Sequence, residues 1–231
     1  MNETQKLKQQ AAKRAVEFIE SGMIVGLGHG STALFAVRRI AELLNAGKLS
    51  EILGVPCSIQ VEKEARRLGI PLTRLDEHPI IDITVDGADE VDPNLDLVKG
   101  GGGALLREKI VAHASRREII VVDESKLSPA LGTRRTVPVE VVPFGWSLQV
   151  NYLESLGAQV SVRQDRNGKR FVTDQGNLIL DCDFGPLLQP RQLAAKLNTR
   201  TGIVEHGLFI DLATDVIVAK AKGVRHLKRT M

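Results

Sequence analysis

Aromatic residues are scarce in this chain, at 3%, which argues against a surface on which nucleic-acid bases stack. Cysteine is scarce too. Cys57 and Cys182 lie far apart and form no metal-binding or redox motif, so a reducing, intracellular setting fits. Long apolar runs are missing. None approaches the length of a membrane span, and the polar stretch from Met1 to Arg14 has no apolar signal region. There is no strong charge of one sign. The net charge of +3 is too small to argue for nucleic acid, and the basic residues are scattered apart from the tail Arg225-His226-Leu227-Lys228-Arg229, which reads as a solvated terminus. Internal repeats and low-complexity segments are also missing. The expectation is a cytoplasmic protein that meets neither membrane nor nucleic acid. What remains is an ordinary soluble mixture, 43% hydrophobic and 26% charged over 231 residues, enough for one large domain or two small ones.

The chain is organised around Lys99-Gly100-Gly101-Gly102-Gly103-Ala104-Leu105-Leu106-Arg107-Glu108-Lys109. An apolar run, 95–98, reads as a strand before it. Residues 104–115 read as a helix after it, with Leu105, Leu106, Ile110 and Val111 at helical spacing. Glycine has no Cβ to keep a ligand from the backbone, and the start of a helix aims unpaired N–H groups at negative charge. Lys99, the turn and Glu108 can thus face one small anionic ligand. A plain glycine connection with a solvated Lys99 and Glu108 is the alternative.

A second glycine loop, Gly26-Leu27-Gly28-His29-Gly30-Ser31-Thr32, joins a strand over 23–26 to a helix over 32–45. Its hydroxyls sit where a phosphate binds well. The spacing is not the dinucleotide G-x-G-x-x-G, and Ser31 also reads as a plain N-cap. Before it, 3–20 reads as a helix. After it come strands over 51–58, 71–75 and 80–85, with a helix over 59–68. Four carboxylates, Asp86, Asp89, Glu90 and Asp92, then fall within seven residues. Their spacing does not match a calcium loop, so they read as hydroxyl contacts, proton carriers or solvated groups, with no metal. A buried strand over 118–122 leads to Asp123-Glu124-Ser125-Lys126. All these polar segments follow predicted strands, and they converge if the strands share a parallel sheet.

After Gly132 the texture changes. Strands over 136–142, 159–163, 170–173 and 177–183, a hairpin turn at 165–168, helices over 145–156 and 190–197 and a strand over 202–205 read as an α+β unit. A last strand, 216–220, returns to the first unit. The fold class expected is α/β, a Rossmann-like open and mostly parallel sheet domain over 1–132, rejoined by 207–231, with a smaller α+β, ferredoxin-like domain over 133–206.

The motifs Gly28-His29-Gly30-Ser31-Thr32, Asp86-Gly87-Ala88-Asp89-Glu90, Lys99-Gly100-Gly101-Gly102, Arg107-Glu108-Lys109, Asp123-Glu124-Ser125-Lys126, Pro138-Val139-Glu140-Val141 and Gly202-Ile203-Val204-Glu205-His206-Gly207 occur in this order. In that set the chain closely resembles ribose-5-phosphate isomerase of the A type, over nearly its whole length. The resemblance implies interconversion of ribose 5-phosphate and ribulose 5-phosphate in the pentose phosphate pathway or carbon-fixation cycle. It also implies a site without metal or cofactor and a homo-oligomer, a dimer first. It makes Glu108 the proton acceptor. Asp86, Gly87, Ala88, Asp89, Lys99, Gly100, Gly101, Gly102 and Lys126 line the substrate. His29, Gly30, Ser31 and Thr32 form the phosphate loop, within reach of Lys8. Two positions depart from the family pattern: His29 where threonine is expected, and Gly103 where alanine is usual.

The residues suit the chemistry. One carboxylate over both carbons takes a proton from C2 and returns one to C1 through an enediolate, and Lys99 with the glycine N–H groups stabilises the charge that develops on oxygen. Three rival readings are weaker. A sugar-phosphate sensor domain of a repressor would need a helix-turn-helix, and only one helix precedes the first strand. A CoA transferase would use Glu108 as nucleophile, and a nicotinamide enzyme is disfavoured by the loop spacing.

Overall fold

A computed structural model describes residues 2–230. The chain runs α1 (Glu3–Val16), β1 (Ile24–Leu27), α2 (Ala33–Asn45), β2 (Leu53–Pro56), α3 (Ile59–Arg67), β3 (Ile83–Gly87), β4 (Glu90–Val91), β5 (Leu97–Val98), α4 (Leu105–Ala114) and β6 (Glu118–Asp123). It continues through β7 (Val137–Val141), α5 (Trp146–Ser155), β8 (Gln159–Val162), β9 (Leu178–Asp183), α6 (Pro190–Asn198), β10 (Ile203–His206), β11 (Leu208–Phe209), β12 (Asp215–Lys220) and β13 (Gly223–Lys228). Two compact units result. The first takes the chain up to Ala88, Arg107–Lys126 and the chain from Asp211 on; the second takes Asp89–Leu106 and Leu127–Ile210.

The first unit is built on a six-stranded sheet of order β13-β12-β6-β3-β1-β2. Five strands are parallel, and β13 runs antiparallel to β12 at the edge. Central β6 is apolar throughout its middle, with Ile119, Ile120, Val121 and Val122 all buried, as a parallel strand covered on both faces must be. Ala11, Ala12 and Ala15 of α1 and Val37 and Ile40 of α2 pack on Val25, Leu27, Val85, Val121 and Ile217 of the sheet. Helix α1 is therefore a core layer of this unit. Asn2 starts it with a capping box shared with Gln5. From β1 the chain steps outward to β2, then crosses back to β3 on the other side of β1. The reversal falls between β1 and β3, and in open α/β sheets it is beyond the carboxyl ends at such a point that ligands bind.

The second unit has an antiparallel sheet of order β10-β7-β9-β8 and a three-stranded sheet of order β11-β5-β4. Val137, Val139 and Val141 of β7 share a core with Leu180, Leu153 of α5 and Leu193 and Leu197 of α6. The fold class is the one expected: a large, mostly parallel sheet and a smaller antiparallel one.

Several local expectations need correction. Residues 71–75 and 170–173 form only isolated bridges, Gly54 to Leu72, Gln164 to Arg170 and Val172 to Leu178. Helix α1 stops at Val16, short of the predicted residue 20. Phe18 follows outside it, against the guanidinium of Arg117 at 4.3 Å and the ring of His226 at 5.4 Å. The basic tail is strand β13, whose exposed charges suit an edge strand that must not pair further. The short strands β4 and β11 were not expected at all.

Candidate functional site

In the first unit the polar residues gather where β1 and β3 end. Gly28 leaves β1 with its N–H on the Val85 carbonyl at 3.0 Å. A Cβ there would stand 2.4 Å from the Asp86 backbone and side chain, so only glycine allows this approach. The buried Asp86 carboxylate accepts two backbone N–H groups at Oδ1, from His29 at 2.9 Å and Gly87 at 2.7 Å. Asp86 thereby sets the path of the loop His29–Thr32, and Gly87 and Ala88 follow it half-buried. Gly30 turns the loop with φ +101 and is exposed, as is Ser31. Thr32 opens α2 with no side-chain cap, so the first N–H groups of that helix are not used by a capping side chain. Lys8 Nζ donates to Ser31 Oγ at 2.8 Å. A helix start, a hydroxyl and an ammonium side by side suit a phosphate.

The half-buried His29 points its imidazole at the start of α3. Its Nδ1 lies 2.9 Å from Ser58 Oγ, and Ser58 in turn caps α3 by accepting the N–H of Val61. Glu108 lies in the first turn of α4 and is 5% exposed. A carboxylate kept out of water at a helix start is costly to bury, and such burial is found where a group performs chemistry or is held by polar partners. Lys126 is half-buried in a single 3-10 turn, Glu124–Lys126, that leaves the carboxyl end of β6.

In the second unit Lys99 follows β5 and is 2% exposed, with its Nζ 5.4 Å from the centre of the Phe209 ring, a cation on an aromatic face. Its N–H is held by the Gly207 carbonyl at 2.9 Å. The turn that follows has Gly100 at φ +97 and Gly103 at φ +81, while Gly101 and Gly102 are exposed. Asp89 reaches the turn directly, accepting the Gly101 N–H at 2.8 Å.

The acidic run separates into different tasks. Glu90 is buried and accepts the N–H groups of Gly132 at 2.9 Å and Arg134 at 3.0 Å. Asp92 closes the β4–β5 turn through the N–H groups of Asn94 and Asp96, each at 2.9 Å. Burial pushes the Asp92 carboxyl above its ordinary range, against those two bonds. Among the described residues no group of three or more His, Cys, Asp or Glu side chains is placed to hold a metal ion, and no helix is long and apolar enough to cross a membrane. The sequence did not point to Ser58, Phe209 or Arg163, whose guanidinium donates to the Gly100 carbonyl at 2.7 Å. Each reaches its partner across the fold with no local motif to announce it.

A parallel sheet with reversed strand order, and a glycine loop and an acidic turn flanking the reversal, define the open α/β class that binds small ligands beyond its strand ends. Comparison with known proteins narrows this. The family profile of ribose 5-phosphate isomerase A (phosphoriboisomerase A) matches residues 53–223. The ribose-5-phosphate isomerase A of Desulfatibacillum aliphaticivorans is 57% identical over 222 residues, 96% of each chain. That of Chloroflexus aurantiacus is 58% identical over 224 residues, 97% of this chain and 94% of the relative. Among solved structures, the ribose 5-phosphate isomerase of Plasmodium falciparum superposes with a TM-score of 0.94 at 41% identity, covering 98% of this chain and all of the other. A D-ribose-5-phosphate isomerase in complex with phospho-erythronic acid superposes at 0.96, also at 41% identity, with 99% and 100% coverage. The chain belongs to the ribose 5-phosphate isomerase A family.

Proposed function

We propose that this protein interconverts D-ribose 5-phosphate and D-ribulose 5-phosphate by proton transfer through an enediolate. The observation that carries the mechanism is the buried Glu108 in the first turn of the helix that leaves the Lys99–Gly102 turn. Glu108 takes the C2 proton of the open-chain aldose. The electron pair forms the C1–C2 double bond, and the C1 carbonyl oxygen becomes an oxyanion. The O2 proton passes to O1, carried by Asp86 or Asp89, which also assist ring opening. Glu108 then returns its proton to C1, leaving the ketone at C2. Lys99 and the N–H groups of Gly100 and Gly102 stabilise the enediolate oxygens, an electrostatic contribution that is often the largest in catalysis, while Gly101 keeps its N–H on Asp89. A positioned general base of this kind contributes about 10²–10⁴ in rate.

The phosphate is gripped by Gly30, Ser31, Thr32 and Lys8 at the start of α2, on a loop whose course Asp86 and His29 fix. Gly87, Ala88 and Lys126 complete the substrate contacts. The solved relative with phospho-erythronic acid supports a phosphorylated sugar acid as a ligand class for this fold. The reaction belongs to the non-oxidative pentose phosphate pathway or the carbon-fixation cycle, in a cytoplasmic homodimer. Formation of ribulose 5-phosphate from ribose 5-phosphate, followed with EDTA present, tests the reading. Sustained turnover is expected, and an inert protein, or one whose activity returns only with a divalent ion, overturns it.

A further inference from the structure

Two side chains hold the glycine turn from outside, Asp89 at an N–H and Arg163 at the carbonyls. Arg163 follows β8 and donates from Nη1 to the carbonyl oxygens of Gly100 at 2.7 Å and Gly101 at 3.3 Å. In a trans peptide the C=O and N–H point in opposite directions. The Gly100 carbonyl on Arg163 and the Gly101 N–H on Asp89 are the two ends of one peptide group, so that plane is fixed at both ends. The next carbonyl, of Gly101, is drawn to the same guanidinium, which turns the Gly102 N–H away from it. Glycine dihedrals are otherwise soft, and consecutive glycines lose much conformational freedom when ordered.

The guanidinium is itself anchored. Its Nε donates to Asp181 Oδ2 at 2.9 Å, and Nη2 pairs with the other carboxylate oxygen. The side chain is 14% exposed. The Arg163 N–H is held by the Ile179 carbonyl, and its own carbonyl accepts the Phe171 N–H, each at 2.9 Å. A planar fork with five donors serves the carboxylate and two carbonyls together, and a lysine has no such geometry.

We infer that Arg163 is a positioning residue for the isomerase reaction. It acts through the backbone: it sets the Gly100–Gly101 and Gly101–Gly102 peptide planes, so that the Gly102 N–H is aimed before the enediolate forms. This rests on the proposed role of that turn. Preorganised donors are effective because they need no reorientation as charge develops, and losing one outright typically costs about 10²–10³ in kcat. Loosening a turn that keeps its donors should cost less.

The test compares the full-length wild type with Arg163→Met, Arg163→Lys and Asp181→Asn. It measures kcat and KM for ribose 5-phosphate separately, together with amide hydrogen exchange over 99–105. Glu108→Gln is run in parallel as the test of the underlying reading, and Asp215→Asn as a destabilised control in the other unit. Arg163→Met should lower kcat about 10–100-fold, with KM changed less than about 3-fold because the phosphate is gripped elsewhere. Exchange should accelerate over 99–105. Arg163→Lys should recover part of kcat, and Asp181→Asn should shift kcat and exchange the same way by a smaller amount, which keeps the inference testable if Arg163→Met does not fold. A kcat within about twofold of wild type in the arginine variants overturns the inference. So does a loss that Asp215→Asn reproduces at equal destabilisation. Normal turnover in Glu108→Gln would instead count against the underlying mechanism.

Discussion

Replacing Gly103 with alanine adds one methyl group, and the structure assigns it two separate costs. The first is backbone. Gly103 has φ +81, and an L-residue in that region loses about 1 kcal/mol or somewhat more. The second is contact. The new Cβ would lie 2.4 Å from Cζ and 2.5 Å from Cε1 of Phe171, with Ile179 Cδ1 at 3.6 Å. Carbon atoms pack at about 3.5–4.0 Å, so the ring must move by about 1 Å. Phe171 is half-buried and can give way, which puts this overpacking cost at about 1–3 kcal/mol. The expected total is about 2–4 kcal/mol. Phe171→Leu removes the ring edge, so in the double variant only the backbone cost of the alanine should remain, a coupling of about 1–2 kcal/mol. Urea unfolding of the wild type, both single variants and the double variant measures it. A Gly103→Ala protein within about 0.5 kcal/mol of wild type, or single costs that add to within that margin, refutes the reasoning. The same contact explains why this chain has glycine where the family resemblance leads one to expect alanine: the Phe171 ring occupies the space of the methyl group.

Two further predictions concern buried carboxyls. Burial pushes Glu140 of β7 above its ordinary range, against hydrogen bonds from Asn177 and Thr173, and Glu205 and Asp174 push it further. The folded state therefore binds this proton more tightly. Stability falls as pH rises from the unfolded value of about 4.3 through the raised folded value, so Glu140→Gln should raise the melting temperature more at pH 8 than at pH 5, and an equal gain at both contradicts this. Burial also pushes Asp215 up, but hydrogen bonds from Arg117, Thr214 and His226 outweigh it and hold the carboxyl well below the usual range. Its stabilisation is full above about pH 3.9 and is lost as pH falls toward the lowered value. Asp215→Asn should cost about 2–4 kcal/mol at pH 7, somewhat less than a fully buried pair because Arg117 is 31% exposed. Urea unfolding should show that deficit narrowing below about pH 4, and a deficit that stays constant rules out the ion pair as its source.

What the sequence revealed depended on whether the signal was local. Central β6 was legible because a strand buried on both faces is a continuous apolar run, Ile119–Val122. The glycine turn and the Asp86-held loop His29–Thr32 were legible as turns because neighbouring residues form them. The two-residue strands β4 and β11 were not, since alternation needs more length, and β11 exists by pairing Leu208 and Phe209 with Val98 and Leu97 from far along the chain. The tail misled because Arg225, His226 and Lys228 read as solvated charge, whereas an edge strand carries such charge too, and its pairing with β12 from Asp215 to Lys220 has no signal in the tail itself. Arg163 stands 63 residues from Gly100, and nothing in its own segment announces a carbonyl clamp.

The central claim is that Glu108 moves the proton between C2 and C1. Glu108→Gln keeps the size and shape of the side chain and removes the acceptor. The decisive measurement is the rate of ribulose 5-phosphate formation from ribose 5-phosphate by this variant beside wild type, with circular dichroism to confirm an unchanged fold. A fall in kcat of at least about 10²-fold with the fold intact is predicted, and near-normal turnover would contradict the account.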